Sequence, residues 1–419
     1  MSNTQKKNVP ELRFPGFEGE WEEKKLGDLT DRVIRKNKNL ESKKPLTISG
    51  QLGLIDQTEY FSKSVSSKNL ENYTLIKNGE FAYNKSYSNG YPLGAIKRLT
   101  RYDSGVLSSL YICFSIKSEM SKDFMEAYFD STHWYREVSG IAVEGARNHG
   151  LLNVSVNDFF TILIKYPSLE EQQKIGKFFS KLDRQIELEE QKLELLQQQK
   201  KCYMQKIFSQ ELRFKDENGE DYPEWENVML QKVVKDKTEG IKRGPFGGAL
   251  KKGIFVESGY AVYEQRNAIY DISNFRYYID ENKYNEMISF SVQPNDIIMS
   301  CSGTIGRLSL IPQNFTKGII NQALIRFRTN HKIRSEFFLI FMRSNQMQRK
   351  ILEANPGSAI TNLVPVKELK LIPFPLPVKF EQDKISQFIL IINRRIEQSE
   401  KKIESLKNRK QGFLLKLFV

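Results

Sequence analysis

Apolar residues recur at coiled-coil spacing over two long stretches of this chain, residues 167–208 and 377–418. In the first they are Ile175, Phe178, Leu182, Ile186, Leu193, Leu196, Tyr203 and Ile207; in the second Ile385, Phe388, Ile392, Ile396, Ile403, Leu406, Phe413 and Leu417. The pattern predicts two long helices, each with a single apolar stripe. Neither contains an internal proline, and Ser168 with Glu171 has the spacing of a capping box. At 1.5 Å per residue each helix extends roughly 55 Å. A helix of that length with one stripe needs a partner. The two stripes match in length and spacing, so the expected partner of each is the other; the plainer alternative is that each belongs to an ordinary bundle.

The two stretches align without a gap at a constant offset of 210, with matches such as Pro167/Pro377, Glu171/Glu381, Ile175/Ile385, Phe178/Phe388 and Phe208/Phe418. The repeat extends beyond them. Glu11-Leu12-Arg13-Phe14 leads to Trp21, as Glu211-Leu212-Arg213-Phe214 leads to Trp225. Gly105 to Phe114 answers Gly318 to Phe327, which reads as a turn and a buried strand. Phe124, Tyr128 and Ser131 then answer Phe337, Phe341 and Ser344 on a predicted helix. Val154, Val156, Phe159 and Ile162 answer Val364, Val366, Leu369 and Ile372 on a predicted strand leading into the long helix. Each half is thus an α/β domain followed by one long helix. Because the first helix runs directly into the second opening motif, the sequence reads as a circle opened at one point. The termini are expected to lie together, and a pseudo-twofold axis is expected to relate the halves with their helices antiparallel and the domains at opposite ends.

Composition narrows the class. The chain of 419 residues is long enough for two or three domains. Its polar start and the lack of any long apolar run predict a soluble, cytoplasmic protein without membrane contact. Cys113, Cys202 and Cys301 are scattered, as are its three histidines, so neither a disulfide scaffold nor a metal site is expected. Sixty-four Lys and Arg against 51 Asp and Glu leave a formal charge of +13, which suits a polyanionic partner. Phosphate-loop, HExxH and GxSxG motifs are missing, as is the Asn or Asp-Pro-Pro-aromatic motif of DNA amino-methyltransferases. No cofactor is implied by these residues.

Between the repeated segments the halves diverge into stretches rich in glycine, serine, asparagine, aromatic and basic residues. These are the candidate reading loops. Lys85, Arg147, Lys242, Arg243 and Arg266 are the foremost candidates for contact with DNA. Ser86, Tyr87, Asn89, Asn148, Gly244, Phe246, Asn267, Ser302, Thr304 and Asn362 stand beside them. Arg and Lys suit guanine edges, Asn suits adenine, Ser and Thr suit bases or phosphates, and glycine lets backbone N–H groups approach phosphate. Each stretch also reads as an ordinary turn whose glycine supplies a positive φ.

With the circular repeat, the helix starts PSLEEQQKI and KFEQDKI, and loops such as GPFGGAL and YNKSYSNGYPLGAI in view, the chain resembles the specificity (S) subunits of type I restriction-modification systems along essentially its whole length. The resemblance implies an α/β fold class: two target recognition domains in a circular pseudo-twofold arrangement, separated by two long antiparallel helices forming an intramolecular coiled coil. The corresponding boundaries are 1–166 and 210–376 for the recognition domains, and 167–209 and 377–419 for the spacer helices. It also implies a non-catalytic reader of double-stranded DNA, each domain recognising one half of a bipartite, asymmetric target. Such subunits assemble with two methyltransferase subunits, which use S-adenosylmethionine, and with restriction subunits, which use ATP. Reading loops differ from member to member, so the family transfers no base contacts. Two other readings remain at this stage, a two-headed protein-binding scaffold and an enzyme fused to its own recognition domain.

Overall fold

A computed structural model describes residues 8–50, 52–61, 69–86, 90–142, 152, 154–246, 248–353 and 365–419. The chain folds as two compact units, Met1–Lys192 with Ser399–Val419, and Leu193–Gln398. The central helix Leu169–Phe208 and the C-terminal helix Lys379–Lys416 each contribute one part to each unit.

Both units are built on the same four-stranded antiparallel sheet. In the first unit the order is Thr30–Arg32, Tyr111–Ile116, Phe81–Asn84, Ala95–Arg98; in the second it is Ile241–Arg243, Leu324–Phe327, Ile297–Ser300, Leu308–Leu310. A second ladder also repeats. Glu22–Lys25 pairs with Leu163–Tyr166, and Glu226–Met229 pairs with Pro373–Leu376, in each case placing the chain at the start of a long helix. The units part company in the segments added to this frame. Thr74–Lys77 pairs antiparallel with Ser104–Leu107 in the first, whereas Tyr260–Tyr263 pairs parallel with Gly318–Ile320 in the second.

Three local expectations are corrected. Gly105 and Gly318 lie in strands, not in the turn, which follows them at residues 108–110 and 321–323. The expected single helix after that strand is two, Lys122–Asp130 with Tyr135–Ile141, and Ser335–Met342 with Asn345–Glu353, separated next to Ser131 and Ser344. Those serines redirect backbone bonding: the Ser131 hydroxyl donates to the Tyr128 carbonyl, and the Ser344 hydroxyl accepts from the Met347 N–H. Val156 and Phe159, and Val366 and Leu369, sit on short helices, and only then do the strands Leu163–Tyr166 and Pro373–Leu376 begin. Their spacing of three residues is helical, and the Ser155 side chain caps the first by accepting from the Asp158 N–H.

The repeat is most exact where each long helix begins. Glu171 and Gln172, and their equivalents Glu381 and Gln382, are buried. Both glutamines bridge in the same way. Gln172 accepts from the Ser121 N–H and donates to the Pro167 carbonyl; Gln382 accepts from the Arg334 N–H and donates to the Pro377 carbonyl. Both glutamates hold an arginine in a bidentate pair, Glu171 with Arg13 at 2.8 and 2.7 Å and Glu381 with Arg213 at 3.2 and 2.9 Å. The Glu171 N–H does donate to Ser168 Oγ, but its carboxylate goes to Arg13 instead of completing the capping box. A difference follows from the indoles. Trp225 Nε1 donates to Glu381 at 2.8 Å, whereas Trp21 Nε1 is buried with no partner among the described residues. Removing the carboxylate at Glu381 is therefore expected to cost about 1 kcal/mol more than removing it at Glu171, the net worth of the extra bond, as measured by chemical denaturation of E381A and E171A.

The chain ends meet. The Leu12 N–H donates to the Lys416 carbonyl at 2.8 Å, and the Lys416 ammonium reaches Glu11 at 2.6 Å. At the middle junction the Leu212 N–H donates to the Lys206 carbonyl at 3.0 Å. Lys206 and Leu212 are the repeat equivalents of Lys416 and Leu12. The same bond thus closes both junctions, although the chain is continuous through only one of them.

Within the first unit the two long helices run antiparallel, with Phe178 against Phe413 at one end, Leu182, Ile186 and Leu406 packed between, and Glu189 bonded to Lys402 at the other. Within the second unit Tyr203 stacks edge-on against Phe388. A polar layer interrupts the stripe: the Ser399 hydroxyl donates to Glu189, which also holds Lys192 and Lys402. Hydrogen bonds from those two lysines draw the Glu189 carboxyl down to about 2. A polar residue at such a position fixes register, since a slipped pairing leaves it buried alone.

Candidate nucleic-acid interface

In the second unit, four loops converge at one end of the sheet. The strand Ile241–Arg243 ends at Gly244, whose N–H donates to the Leu324 carbonyl at 2.9 Å. A Cβ on Gly244 would lie 1.8 Å from the Asn321 carbonyl oxygen, so only glycine lets this strand end lie against the 321–323 turn. That turn is tied to two other loops, because the Asn321 N–H donates to the Tyr263 carbonyl and the Cys301 N–H to the Ala323 carbonyl, both at 2.9 Å. Gln265, which follows the strand Tyr260–Tyr263, donates through Nε2 to the Ser302 carbonyl. A bidentate pair between Glu264 and Arg276, and the Ser300 hydroxyl donating to the Thr304 carbonyl, hold the last two loops in shape.

On this rigid platform stand exposed side chains suited to stacking and hydrogen bonding. Phe246 is 77% exposed with the Arg243 guanidinium 5.6 Å from its ring centre, and Tyr270 is 70% exposed at the end of the helix Gln265–Tyr270. Arg266 is half-buried, and Thr304 and Arg307 are exposed. Burial pushes the Cys301 thiol up despite the opposing charge of Arg243, so it stays protonated.

Not every candidate stands there to read. Asn267 is buried: its Oδ1 accepts from the Glu264 N–H, and its Nδ2 donates to the carbonyls of Ile272 and Asn274. Its amide closes the capping box of its own helix. Gly244 is equally internal. Lys242 places its ammonium 4.6 Å from the centre of the Phe290 ring, and Ser302 offers its carbonyl to Gln265. In the first unit, Lys85 donates inward to the Val154 carbonyl at 3.3 Å, and the Ser86 N–H is taken by Asn84. Tyr87, Asn89, Arg147, Asn148 and Asn362 lie outside the described residues. The loops of the first unit are joined where the Tyr91 hydroxyl donates to the Gly50 carbonyl at 2.7 Å, with the ring lying where a Cβ on Gly50 would be.

Sequence reasoning passed over Tyr270, Arg307 and Asn321. Asn321 sits within a repeated segment and so reads as scaffold, although an asparagine between two apolar strands is itself a turn signal. Tyr270 carries no motif. Only the end of its helix, at Asp271 with φ 55°, exposes it.

The family model for the type I restriction modification DNA specificity domain matches this chain twice, over residues 18–198 and 247–408. The chain belongs to this family. The type I restriction enzyme MjaVIII specificity subunit of Methanocaldococcus jannaschii is 24% identical over 433 residues, spanning 97% of this chain and 93% of that protein. The putative MjaX specificity subunit of the same organism is 27% identical over 256 residues, 60% of this chain and 57% of its own. Among solved structures, the type I restriction-modification S subunit of M. genitalium aligns over 98% of this chain and 99% of that chain, at 16% identity and a TM-score of 0.57. A chain from a study of complex assembly and conformational transition in a type I R-M system aligns over the same shares, at 19% identity and a TM-score of 0.54. The fold of two specificity domains joined to long paired helices is therefore that of S subunits, and this chain is a DNA-specificity subunit of the type I class. Among the described residues no helix is long and apolar enough to cross a membrane.

Proposed function

We propose that this chain is a non-catalytic reader in which domains 1–166 and 210–376 each recognise one half of a bipartite, asymmetric DNA sequence. Spacer helices 167–209 and 377–419 set the gap between the halves, and the chain positions two methyltransferase subunits and the restriction subunits on that DNA. One observation carries the reading. Two copies of one sheet order and one helix start share the same glutamine bridges and glutamate–arginine pairs, while the loops at the ends of those sheets differ in length, strand pairing and side chains. A shared frame with unlike loops suits two unlike half-sites held at one separation. In the second unit, Arg243, Phe246, Arg266, Tyr270, Thr304 and Arg307 are the side chains assigned to DNA, with Asn267 and Gly244 supporting them.

The gap test uses the antiparallel register. Inserting four residues into the central helix alone would slip it against its partner, so matched insertions belong after Lys192 and after Gln398. One added turn, about 6 Å, is expected to lengthen the gap in the methylated motif by on the order of two base pairs while leaving both half-sites intact. Mapping methylated adenines in cells carrying the altered subunit reads this directly, and altered half-sites with an unchanged gap would reject the spacer role. Binding that ignores salt would favour a protein scaffold instead.

A further inference from the structure

The two units differ sharply at one equivalent place, beside the long helices. In the first unit Asp130 is held by Lys97 at 2.6 Å and by Lys410 at 2.8 Å, and Lys410 also reaches Asp183 at 2.7 Å. The repeat equivalents in the second unit are Arg343 for Asp130, Ser309 for Lys97, Lys200 for Lys410 and Asn393 for Asp183. Both carboxylates are gone. In place of a closed ionic cluster there is a groove of about 920 Å³, with Met204 and Phe208 among its lining residues.

Five of the described lining residues are basic and one, Glu353, is acidic. Arg343 is partly satisfied by Asp271 at 3.4 Å, but Lys201, Arg349 and Lys350 are matched to no carboxylate among the described residues. The groove is also physically joined to the reading loops. Gln348, on the helix that carries Arg349 and Lys350, donates to the Gly306 carbonyl at 3.0 Å, and the Arg343 guanidinium donates to the Leu308 carbonyl. Gly306 and Leu308 flank Arg307 of the interface.

We infer that this groove takes the phosphodiester backbone of the DNA flanking the half-site read by the second unit, as a sequence-independent clamp that the first unit lacks. The inference rests on the DNA-reading function proposed above. Three points select a nucleic-acid backbone over an acidic protein segment. The helix that carries Arg349 and Lys350 is hydrogen-bonded to the loop cluster, the cationic side chains stand on long flexible stems lining the groove, and no rigid bidentate arrangement singles out an individual carboxylate. Phosphates spaced along a strand need only such cations. In the first unit Lys410, the equivalent of Lys200, is held between Asp130 and Asp183.

The test is the variant K201A/R349A/K350A, assembled with its methyltransferase subunits and compared with the unaltered complex. All three side chains lie on helix surfaces, so folding is preserved. Affinity for a duplex carrying the methylated motif is expected to fall about tenfold or more at 150 mM salt. The slope of log affinity against log salt should become shallower by about 2–3, near 0.9 for each phosphate no longer neutralised. The methylated motif should not change. An unchanged slope overturns the inference, and if methyltransferase subunits also fail to co-purify, the groove docks an acidic protein face instead. A changed motif overturns it too, because the groove would then be reading bases. If the unaltered complex shows no preference for its motif, the DNA-reading function itself fails, which is a separate and visible result.

Discussion

Replacing Lys410 with methionine is expected to destabilise the unit that contains it by about 3–5 kcal/mol, the usual result of removing one partner from a buried ionic group. Lys410 lies on the C-terminal helix and joins Asp130, at the end of Lys122–Asp130, to Asp183 on the central helix. Its side chain is 15% exposed and that of Asp130 is 18% exposed. Burial alone would push the Asp130 carboxyl up, but the charges of Lys97 and Lys410 overcome this and draw it down to about 2. Burial would likewise lower the Lys410 ammonium, and the two aspartates hold it above its ordinary value. Methionine keeps the stem and removes the charge, so Asp183 loses its cation and Asp130 keeps only Lys97.

The pH dependence follows in sign. A carboxyl depressed by folding contributes stability that is present above its unfolded value, near 4, and is lost as pH falls through about 2. In K410M both aspartates are held less firmly as anions, and their protonation relieves the uncompensated charge. The difference in stability between K410M and the natural chain should therefore be largest near neutral pH and shrink as pH drops below about 4. Chemical denaturation at pH 7 and pH 3.5 measures both. K410M/D183N, which keeps the Asp130–Lys97 pair and removes only the carboxylate left without a cation, should recover much of the loss at pH 7, and a double variant no better than K410M would show that the lysine matters through packing alone.

Gly244→Ala should damage the second unit at its interface while leaving the fold of the first untouched. The added methyl carbon would stand 1.8 Å from the Asn321 carbonyl oxygen and 2.4 Å from its carbon, both backbone atoms that no rotamer change can move. Relief requires separating the strand Ile241–Arg243 from the 321–323 turn, at a cost of about 1–3 kcal/mol or more. The same movement unseats Arg243 and Phe246. Sequence-specific duplex binding is expected to fall by at least tenfold, with little change in the binding of random duplex, whereas a Lys85→Ala change in the first unit removes one inward hydrogen bond and should act mainly on stability. Normal motif affinity in G244A would mean that this loop takes no part in recognition.

Much of this architecture was legible because duplication writes itself into spacing. The stripes of the two long helices, the Glu171/Glu381 match and the paired opening motifs all survive as residue identities at fixed offsets, and each corresponds to a contact that both units make. Periodicity failed over shorter distances. Val156 and Phe159 read as strand positions because a single turn of helix is too short to declare its period, and Ser131 and Ser344 read as helix interior because their hydroxyl bonding depends on the turn they create. Of the reading loops, sequence located the stretches but not the roles within them. Asn267 and Arg266 are neighbours, yet one is sealed inside by Glu264, Ile272 and Asn274 while the other is only half-buried.

By itself, then, the sequence determined the duplication, the helix pairing and the basic, motif-poor character of the chain, because each is carried by residue identity or period along the backbone. Only the tertiary structure decided which loop residues are free to act, and that the site sealed by Asp130, Asp183 and Lys410 in one unit is an open basic groove in the other. Burial and charge pairing depend on residues far apart in the chain, Lys410 and Asp130 being 280 positions apart, and no local pattern records such a meeting.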